Sequence, residues 1–348
     1  MDFHELLGRP PLPIDIAAVA RRLVGKRILV TGAGGSIGSC LVDRVSGWQP
    51  AELVMLDNYE HSLYDLQTRL GRQAPHAYYL ADVRDGAKMR RLFARHRPEV
   101  VIHLAAYKHV PLGEENPCET TAVNVLGTLN VVQAAAEAGV GTLVYTSTDK
   151  AVYPPSVYGA TKRAVEILLR AYEAQMGGPR CVVVRLVNAV GAQGGVIRVF
   201  ARQIMAGEPL TLTHEGMTRY WMSMDEAAQI AAQAACVDDP VRMVVPDVGP
   251  PVRLTAVAQR MQELLRPEAK LAVTITGMRP GERLAEKLIR DDEALVACSH
   301  PGLRVVQDHG GPRPTLAETL EAVVQFAGRI DEGDDEGLRR ALFDFVSG

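Results

Sequence analysis

Between about residues 27 and 187, short apolar runs alternate with stretches of helical period. The runs 27–31, 52–57, 77–80, 99–104, 142–147 and 181–187 read as strands. Several are continuously apolar rather than alternating, as strands covered by helices on both faces are. The stretches 63–70, 87–95, 124–138 and 161–173 between them read as helices. Repeated strand–helix alternation predicts an α/β fold built on a doubly wound parallel sheet.

After residue 190 the rhythm breaks. A glycine-rich hinge at 191–195 precedes a helix ending near Met205. The pattern then gives a short strand at 210–213, a helix at 225–236, a strand at 243–245, and helices at 255–265 and 282–290. Residues 315–346 read as helical, broken by an acidic turn at 331–335. This divides the chain into a lead-in segment (1–25), a dinucleotide-binding domain (26–190) and a smaller irregular α/β lobe (191–348), with 225–247 returning to the main sheet. A length of 348 residues suits two domains at about 100–200 residues each.

Charge and composition then narrow the partners. The net charge is −3, without a long basic run, and aromatics are only 5%. Neither a nucleic-acid footprint nor a polybasic membrane surface is expected. No apolar run reaches the length of a membrane span, and the N-terminus lacks the order of a signal peptide. Five scattered cysteines without a CxxC spacing read as reduced thiols, and no metal site is expected. A cytoplasmic location follows as an expectation.

The first strand runs into Thr31-Gly32-Ala33-Gly34-Gly35-Ser36-Ile37-Gly38. Small residues at a strand-to-helix turn let a pyrophosphate approach the backbone and meet the helix N-terminus. Gly32, Gly35, Ser36, Ile37 and Gly38 are therefore expected to hold a dinucleotide. Asp57, 19 residues beyond Gly38, falls where an acid meets the adenosine ribose. An acid there repels a 2′-phosphate, which favours NAD over NADP. Asp82 and Val83 would flank the adenine, and Ala105 and Ala106 are small enough for the cofactor to lie close.

The fifth strand leads into Thr148-Asp149-Lys150 and then Tyr158-Gly159-Ala160-Thr161-Lys162. Tyr158 and Lys162 lie four apart, one helical turn, and share a face. A lysine near a phenol, beside a cationic nicotinamide, favours phenolate and makes the tyrosine a base for hydride transfer. Asp149 and Lys150 exceed what a simple dehydrogenase needs. They suggest a second acid–base couple acting on another carbon of the same substrate.

The stretches TGAGGSIGS (31–39), DNYEHSLYDL (57–66), YKHVPL (107–112), ENPCE (115–119), NVLGT (124–128), STDKAV (147–152), VYGATKR (157–163), TRY (218–220) and GMRPGE (277–282) together resemble the CapD-like polysaccharide-biosynthesis dehydratases. These are extended short-chain dehydrogenases/reductases that include UDP-N-acetylglucosamine 4,6-dehydratases. The resemblance covers about residues 25–290. It implies that Tyr158, with Lys162 and Thr148, takes the sugar 4-hydroxyl proton as hydride leaves C4. Lys150 would then remove the C5 proton, Asp149 would protonate the departing C6 hydroxyl, and hydride would return to C6. It also implies a UDP-sugar substrate held by Lys108, His109, Asn188, Arg219, Arg279 and Glu282, with Asn124 structural or a proton relay. Helices 124–138 and 161–173 resemble those that pair in homo-oligomers. The first 25 residues resemble the linker that joins larger relatives to a membrane part, so the chain reads as a catalytic unit without that anchor.

A C4 epimerase or oxidoreductase of the same fold would need Tyr158 and Lys162 but not Asp149 and Lys150. A non-catalytic dinucleotide sensor would need neither pair. Cues for inversion or retention at C5 conflict: Tyr158 matches the inverting type, and Asp57 with Leu6-Leu7-Gly8-Arg9-Pro10 matches the retaining one. Five positions depart from the family pattern: Cys40, Gly113, Val187 and Ala189 flanking Asn188, and Ala285. Gly113 sits in a loop expected to touch the sugar, where its missing side chain leaves room. Gly113→Met should therefore change substrate preference or affinity, measured as kcat/KM across UDP-sugars; an unaltered ranking refutes that role.

Overall fold

A computed structural model describes all residues except 1–2, 73–74, 239–242, 269, 271, 311–312 and 348. Met1 and Asp2 of the N-terminus therefore lie outside the described residues. Two short helices open the chain, α1 (Phe3–Leu7) and α2 (Ile16–Leu23). The alternation follows as β1 (Arg27–Thr31), α3 (Ser36–Ser46), β2 (Glu52–Asp57), α4 (Glu60–Leu70), β3 (His76–Leu80), α5 (Gly86–His96) and β4 (Val100–His103). Next come α6 (Val110–Glu115), α7 (Pro117–Thr121), α8 (Gly127–Glu137), β5 (Thr142–Thr148), α9 (Val157–Met176) and β6 (Arg180–Leu186). The remainder holds β7 (Asn188–Val190), α10 (Val196–Ala206), β8 (Leu210–Leu212), β9 (Thr218–Arg219), β10 (Trp221–Ser223), α11 (Met224–Ala234), β11 (Met243–Pro246), β12 (Val252–Arg253) and α12 (Leu254–Leu265). It ends with β13 (Val273–Ile275), β14 (Glu293–Ala297), β15 (Leu303–Asp308), α13 (Leu316–Glu332) and α14 (Asp335–Ser347).

The main sheet has the order β14-β15-β11-β6-β5-β4-β1-β2-β3. From β3 to β11 every pairing is parallel, and β15 and β14 add an antiparallel edge. The predicted doubly wound sheet is therefore present. Its continuous apolar runs are explained by burial: Ile28, Leu29, Val30, Val101, Ile102, Leu143 and Val144 are fully enclosed between two helix layers. The order reverses between β1 and β4, which opens a crevice at the carboxyl ends of those strands.

The chain returns to this sheet further than residues 225–247. Besides β11, strands β14 and β15 join it, and α13 and α14 pack on α9 through Val323, Phe326, Leu338 and Leu342. Helix α9 is thus packed against the chain's own C-terminal helices. The lobe core is smaller and consists of α10, α12 and short strands around Phe200, Trp221 and Met261. The lead-in segment is packed on both units. Leu6 and Leu7 enter the lobe core, Val19 and Leu23 enter the sheet core, and Arg9 grips Glu226 with two bonds of 2.8 Å.

One expected element is absent. Residues 282–290 form no helix but an irregular run. Pro280 and Gly281, at φ +76°, stand just before it, and the burial is the reverse of an amphipathic helix: Leu284 is exposed and Glu286 buried.

A fully buried cation ties the site elements together. Arg185 of β6 donates to both oxygens of Glu166 on α9 (2.9 and 2.9 Å) and to both of Glu293 on β14 (2.5 and 2.9 Å). Burial would raise the Glu166 pKa, but Arg185, Arg163 and Ser147 outweigh it and hold it at about 2. Because the folded value lies below the unfolded one of about 4.3, the stabilisation is complete above that pH and is lost as pH falls towards 2. Arg185→Met strands two buried carboxylates. It should cost about 3–5 kcal/mol at pH 7, with a smaller deficit at pH 4, where the stranded acids take protons. Urea midpoints at both pH values measure this.

Candidate active site

The glycine turn after β1 borders a cavity of about 200 Å³, lined among others by Gly32, Gly35, Asp57, Val83, Ala105 and Ala106. Asn58, Tyr59, Tyr107 and Gln193 also line it and were not anticipated. Gly38 serves packing instead: an added Cβ would lie 2.1 Å from the Gly32 carbonyl oxygen, so only glycine lets α3 approach the turn. Ile37 packs against the sheet core. Ser36 Oγ accepts from the Gln193 amide at 3.2 Å, which draws the 191–195 loop over the helix N-terminus. Asp57 accepts from the amides of Gly34 (2.8 Å) and Tyr59 (2.9 Å) while lining the cavity. Asp82 is engaged by Arg84, whose hydrogen bonds lower its pKa. The Gly35 position is open to the cavity, meeting only the Gly32 oxygen at 3.2 Å. Bare backbone at a helix N-terminus beside an acid fits a dinucleotide whose ribose hydroxyls face that acid.

The chemistry-bearing residues sit at the ends of β5 and β7 and on the first turns of α9. Strand β5 ends at Thr148, and Asp149–Ala151 form a single tight turn. Helix α9 starts with Ser156 accepting from Gly159, and Glu114 accepting from the Val157 amide at 2.6 Å. A Cβ at Gly159 would lie 2.2 Å from the Lys150 carbonyl oxygen. That close approach brings the Asp149–Lys150 turn against the helix that carries Tyr158.

Lys150 Nζ donates to Asp149 Oδ1 at 3.1 Å and Asn188 Oδ1 at 3.2 Å, and lies 3.5 Å from Glu286 Oε1. Asn188 uses its amide nitrogen on the Tyr220 carbonyl, so its oxygen faces Lys150. Burial alone would lower the Lys150 pKa, but Asp149, Glu286 and Tyr158 raise it above the ordinary lysine value. Asp149 is fully buried, and Thr148 Oγ1 donates to it at 3.0 Å.

Tyr158 is tuned by several neighbours. Burial raises its pKa; Lys150 and the Thr148 hydrogen bond lower it, while Asp149 and Glu286 raise it further, leaving it above the usual phenol value. Lys162 donates to the Thr146 carbonyl at 2.9 Å and stands 4.6 Å over the Tyr145 ring. Burial lowers its pKa to about 7.

The expected substrate set divides. Asn188 and Arg219 join Lys150 and Glu286, with Arg219 Nε 3.7 Å from Glu286 Oε1. Lys108 and His109 face the 191–195 loop; Lys108 Nζ donates to the Gln193 carbonyl at 3.1 Å. Arg279 and Glu282 close their own turn, the Arg279 amide donating to Glu282 at 3.1 Å. Asn124 is structural: it bonds both backbone groups of Tyr107 and the Thr161 hydroxyl. Sequence reasoning also missed Glu286, which falls within the helix expected at 282–290.

Gly159→Ala should cost about 1–3 kcal/mol by overpacking, because the Lys150 carbonyl has to move. Gly113, expected in a loop, is instead buried within helix α6, where a Cβ meets nothing nearer than 3.6 Å. Gly113→Ala should be neutral or stabilising by up to about 1 kcal/mol. Thermal melts of the two variants check the contrast.

Residues 28–308 match the model of the polysaccharide biosynthesis protein family. The probable polysaccharide biosynthesis protein EpsC of Bacillus subtilis is 38% identical over 323 residues, covering 91% of this chain and 54% of EpsC. The chain thus spans about half the length of that relative. An inverting UDP-N-acetylglucosamine 4,6-dehydratase of Campylobacter jejuni is 32% identical over 274 residues, covering 78% of this chain and 79% of the relative. Among solved structures, the UDP-glucose 4-epimerase of Thermus thermophilus, in complex with NAD, superposes with a TM-score of 0.64. It is 27% identical, covering 75% of this chain and 90% of that one. With four-fifths of its length matched, the chain belongs to the polysaccharide biosynthesis protein family of extended short-chain dehydrogenases/reductases.

Proposed function

We propose that the protein is an NAD-dependent nucleotide-sugar 4,6-dehydratase acting on UDP-N-acetylglucosamine or a close UDP-amino sugar. The observation that carries this reading is the second acid–base couple. A half-buried Lys150 lies against the fully buried Asp149, and both are close enough to Tyr158 to shift its proton affinity. A dehydrogenase or epimerase working at C4 alone has no use for that couple. The Campylobacter relative, a dehydratase by name, supports the same reading.

The glycine turn and Asp57 would hold the dinucleotide, and the Asp57 charge favours NAD over NADP. When bound, the oxidised nicotinamide supplies the hydride acceptor and a positive charge that favours the Tyr158 phenolate. Tyr158 takes the 4-hydroxyl proton, with Thr148 donating towards Asp149 and Lys162 held one helical turn away on the Thr146 carbonyl. The C4 ketone acidifies the C5 proton, and Lys150 removes it. Asp149 gives a proton to the leaving C6 hydroxyl. Each acid–base role is worth about 10²–10⁴ in rate. Arg219 suits the substrate diphosphate because its planar donors can bind two oxygens. Lys108 and His109, beside the 191–195 loop, would close over it, and Arg279 and Glu282 lie on the same lobe.

The second reading is a C4 epimerase, favoured by the likeness to the Thermus enzyme. Incubation with UDP-N-acetylglucosamine and mass spectrometry decides between them. A mass loss equal to one water is expected; an unchanged mass with an altered sugar NMR spectrum means epimerisation. Lys150→Ala should abolish water loss while reduced nicotinamide still forms. Normal dehydration by that variant removes Lys150 as the base.

A further inference from the structure

Resting on that reading, a difficulty appears in the charge state of the base. Lys150 has to be a neutral amine to take the C5 proton, yet Glu286 and, when it is ionised, Asp149 stand beside it and favour the ammonium. Asp149 cannot relieve it, because an acid that protonates the leaving hydroxyl needs its own proton. Asp149 Oδ1 is already occupied by the Thr148 hydroxyl and the Lys150 ammonium. Its other oxygen, Oδ2, is buried without a hydrogen-bond partner.

Glu286 has the same feature. Its side chain is 3% exposed and its Oε1 faces Lys150 Nζ at 3.5 Å and Arg219 Nε at 3.7 Å. Its Oε2 is buried and unpartnered. Buried carboxylate oxygens are nearly always paired, so two bare ones around a single ammonium mark two seats for protons. The charged and titratable groups facing this point are Asp149 on the turn after β5, Tyr158 on α9, Arg219 on β9, and Arg283 on the same irregular run.

We propose that Glu286 takes the ammonium proton of Lys150 when the sugar enters, a positioning residue that acts through Lys150. The Lys150 N–H bond breaks and a Glu286 O–H bond forms, which leaves a neutral amine facing C5. The C5 proton then passes to that amine, and Asp149 delivers its own proton to the departing hydroxyl. After hydride returns to C6, the amine gives its proton back to C5 and Glu286 returns the stored proton to Lys150. The proton that Tyr158 took from the 4-hydroxyl passes through the Thr148 hydroxyl, which bonds both Tyr158 and Asp149, and replaces the one Asp149 gave up, so protons balance and no electrons leave the site.

The test compares wild type, E286Q and E286D as NAD-loaded enzymes on UDP-N-acetylglucosamine. Glutamine keeps the shape but cannot accept the proton. E286Q should form reduced nicotinamide as the wild type does, with KM within about threefold. Its kcat for water loss at pH 7 should fall about 100-fold or more and recover as pH rises, when solvent deprotonates Lys150 instead. E286D should restore much of the rate. An E286Q enzyme with wild-type kcat and pH profile overturns the proposal. So does a change in KM alone, which would mean that Glu286 only orients Arg219. Failure of E286Q to form reduced nicotinamide overturns it too, since the pocket's shape would then be what Glu286 supplies. A wild type that loses no water overturns the dehydratase reading itself, and this inference with it.

Discussion

The geometry of the site depends on one buried cation. Arg185 has no solvent to fall back on, so its planar fork has to be met by oxygens at fixed positions. Glu166 and Glu293 meet it, and the Leu288 carbonyl takes a further bond at 3.2 Å. Ser147 of β5 donates to the same Glu166 at 2.7 Å. Glu166 lies one helical turn beyond Lys162, and Lys162 one turn beyond Tyr158. Fixing Glu166 fixes the rotation of α9 about its axis, and so the direction in which both site residues point. A buried ion pair is a weak source of net stability because desolvation offsets its Coulomb energy. Here it supplies position, joining β5, β6, α9 and β14 at one point.

The parallel sheet supplies the rest of the frame. Its order reverses between β1 and β4, and the glycine turn and the Ala105–Ala106 loop both open there. The loop at 191–195 then crosses from the lobe to this crevice, bonded to Ser36 and Lys108. The residues of the second couple gather one strand further along, where β5 ends beside β6 and the short β7–β10 pair. Adjacent positions on the sheet edge thus present a dinucleotide crevice and an acid–base pocket to one ligand-sized region.

The strands and the glycine turn were legible because local signals and tertiary burial agree there. Continuous apolar runs are buried on both faces, and the turn residues sit where a strand meets a helix. Thr148, Asp149, Lys150, Tyr158 and Lys162 were legible as a cluster because they lie within fifteen residues of one another. What was hidden lies at long range. Glu286 and Glu293 acquire their meaning from Lys150, Arg219 and Arg185, more than sixty residues away in every case. Spacing within 282–290 suggested a helix because a period of four is equally the spacing of unrelated tertiary contacts. The burial and neighbouring carboxylates that raise the Tyr158 pKa are likewise invisible in the local pattern.

An irregular run is a poor place to hold a carboxylate to a fraction of an ångström unless its backbone is fixed from outside. Residues 276–293 are fixed in this way at short intervals. The Thr276 amide bonds the Leu212 carbonyl, and the Leu284 carbonyl accepts from the Thr218 amide and from Arg219. Arg283 donates to the Val152 carbonyl at 2.6 Å, Arg185 donates to the Leu288 carbonyl, and the Asp291 amide donates to Tyr153 Oη at 2.8 Å. Tyr153 takes a left-handed φ of +46°, a strained conformation for a bulky residue. Lys287 and Arg290 stand over its ring at 5.3 and 5.0 Å and hold it there. Glu286 lies inside this set of ties, between the Leu284 and Leu288 carbonyls. A helix would have spent those backbone groups on itself. Left free, they bind the loop to β9, to the turn after β5 and to Arg185, so the segment bearing Glu286 moves with the elements that carry Lys150 and Tyr158.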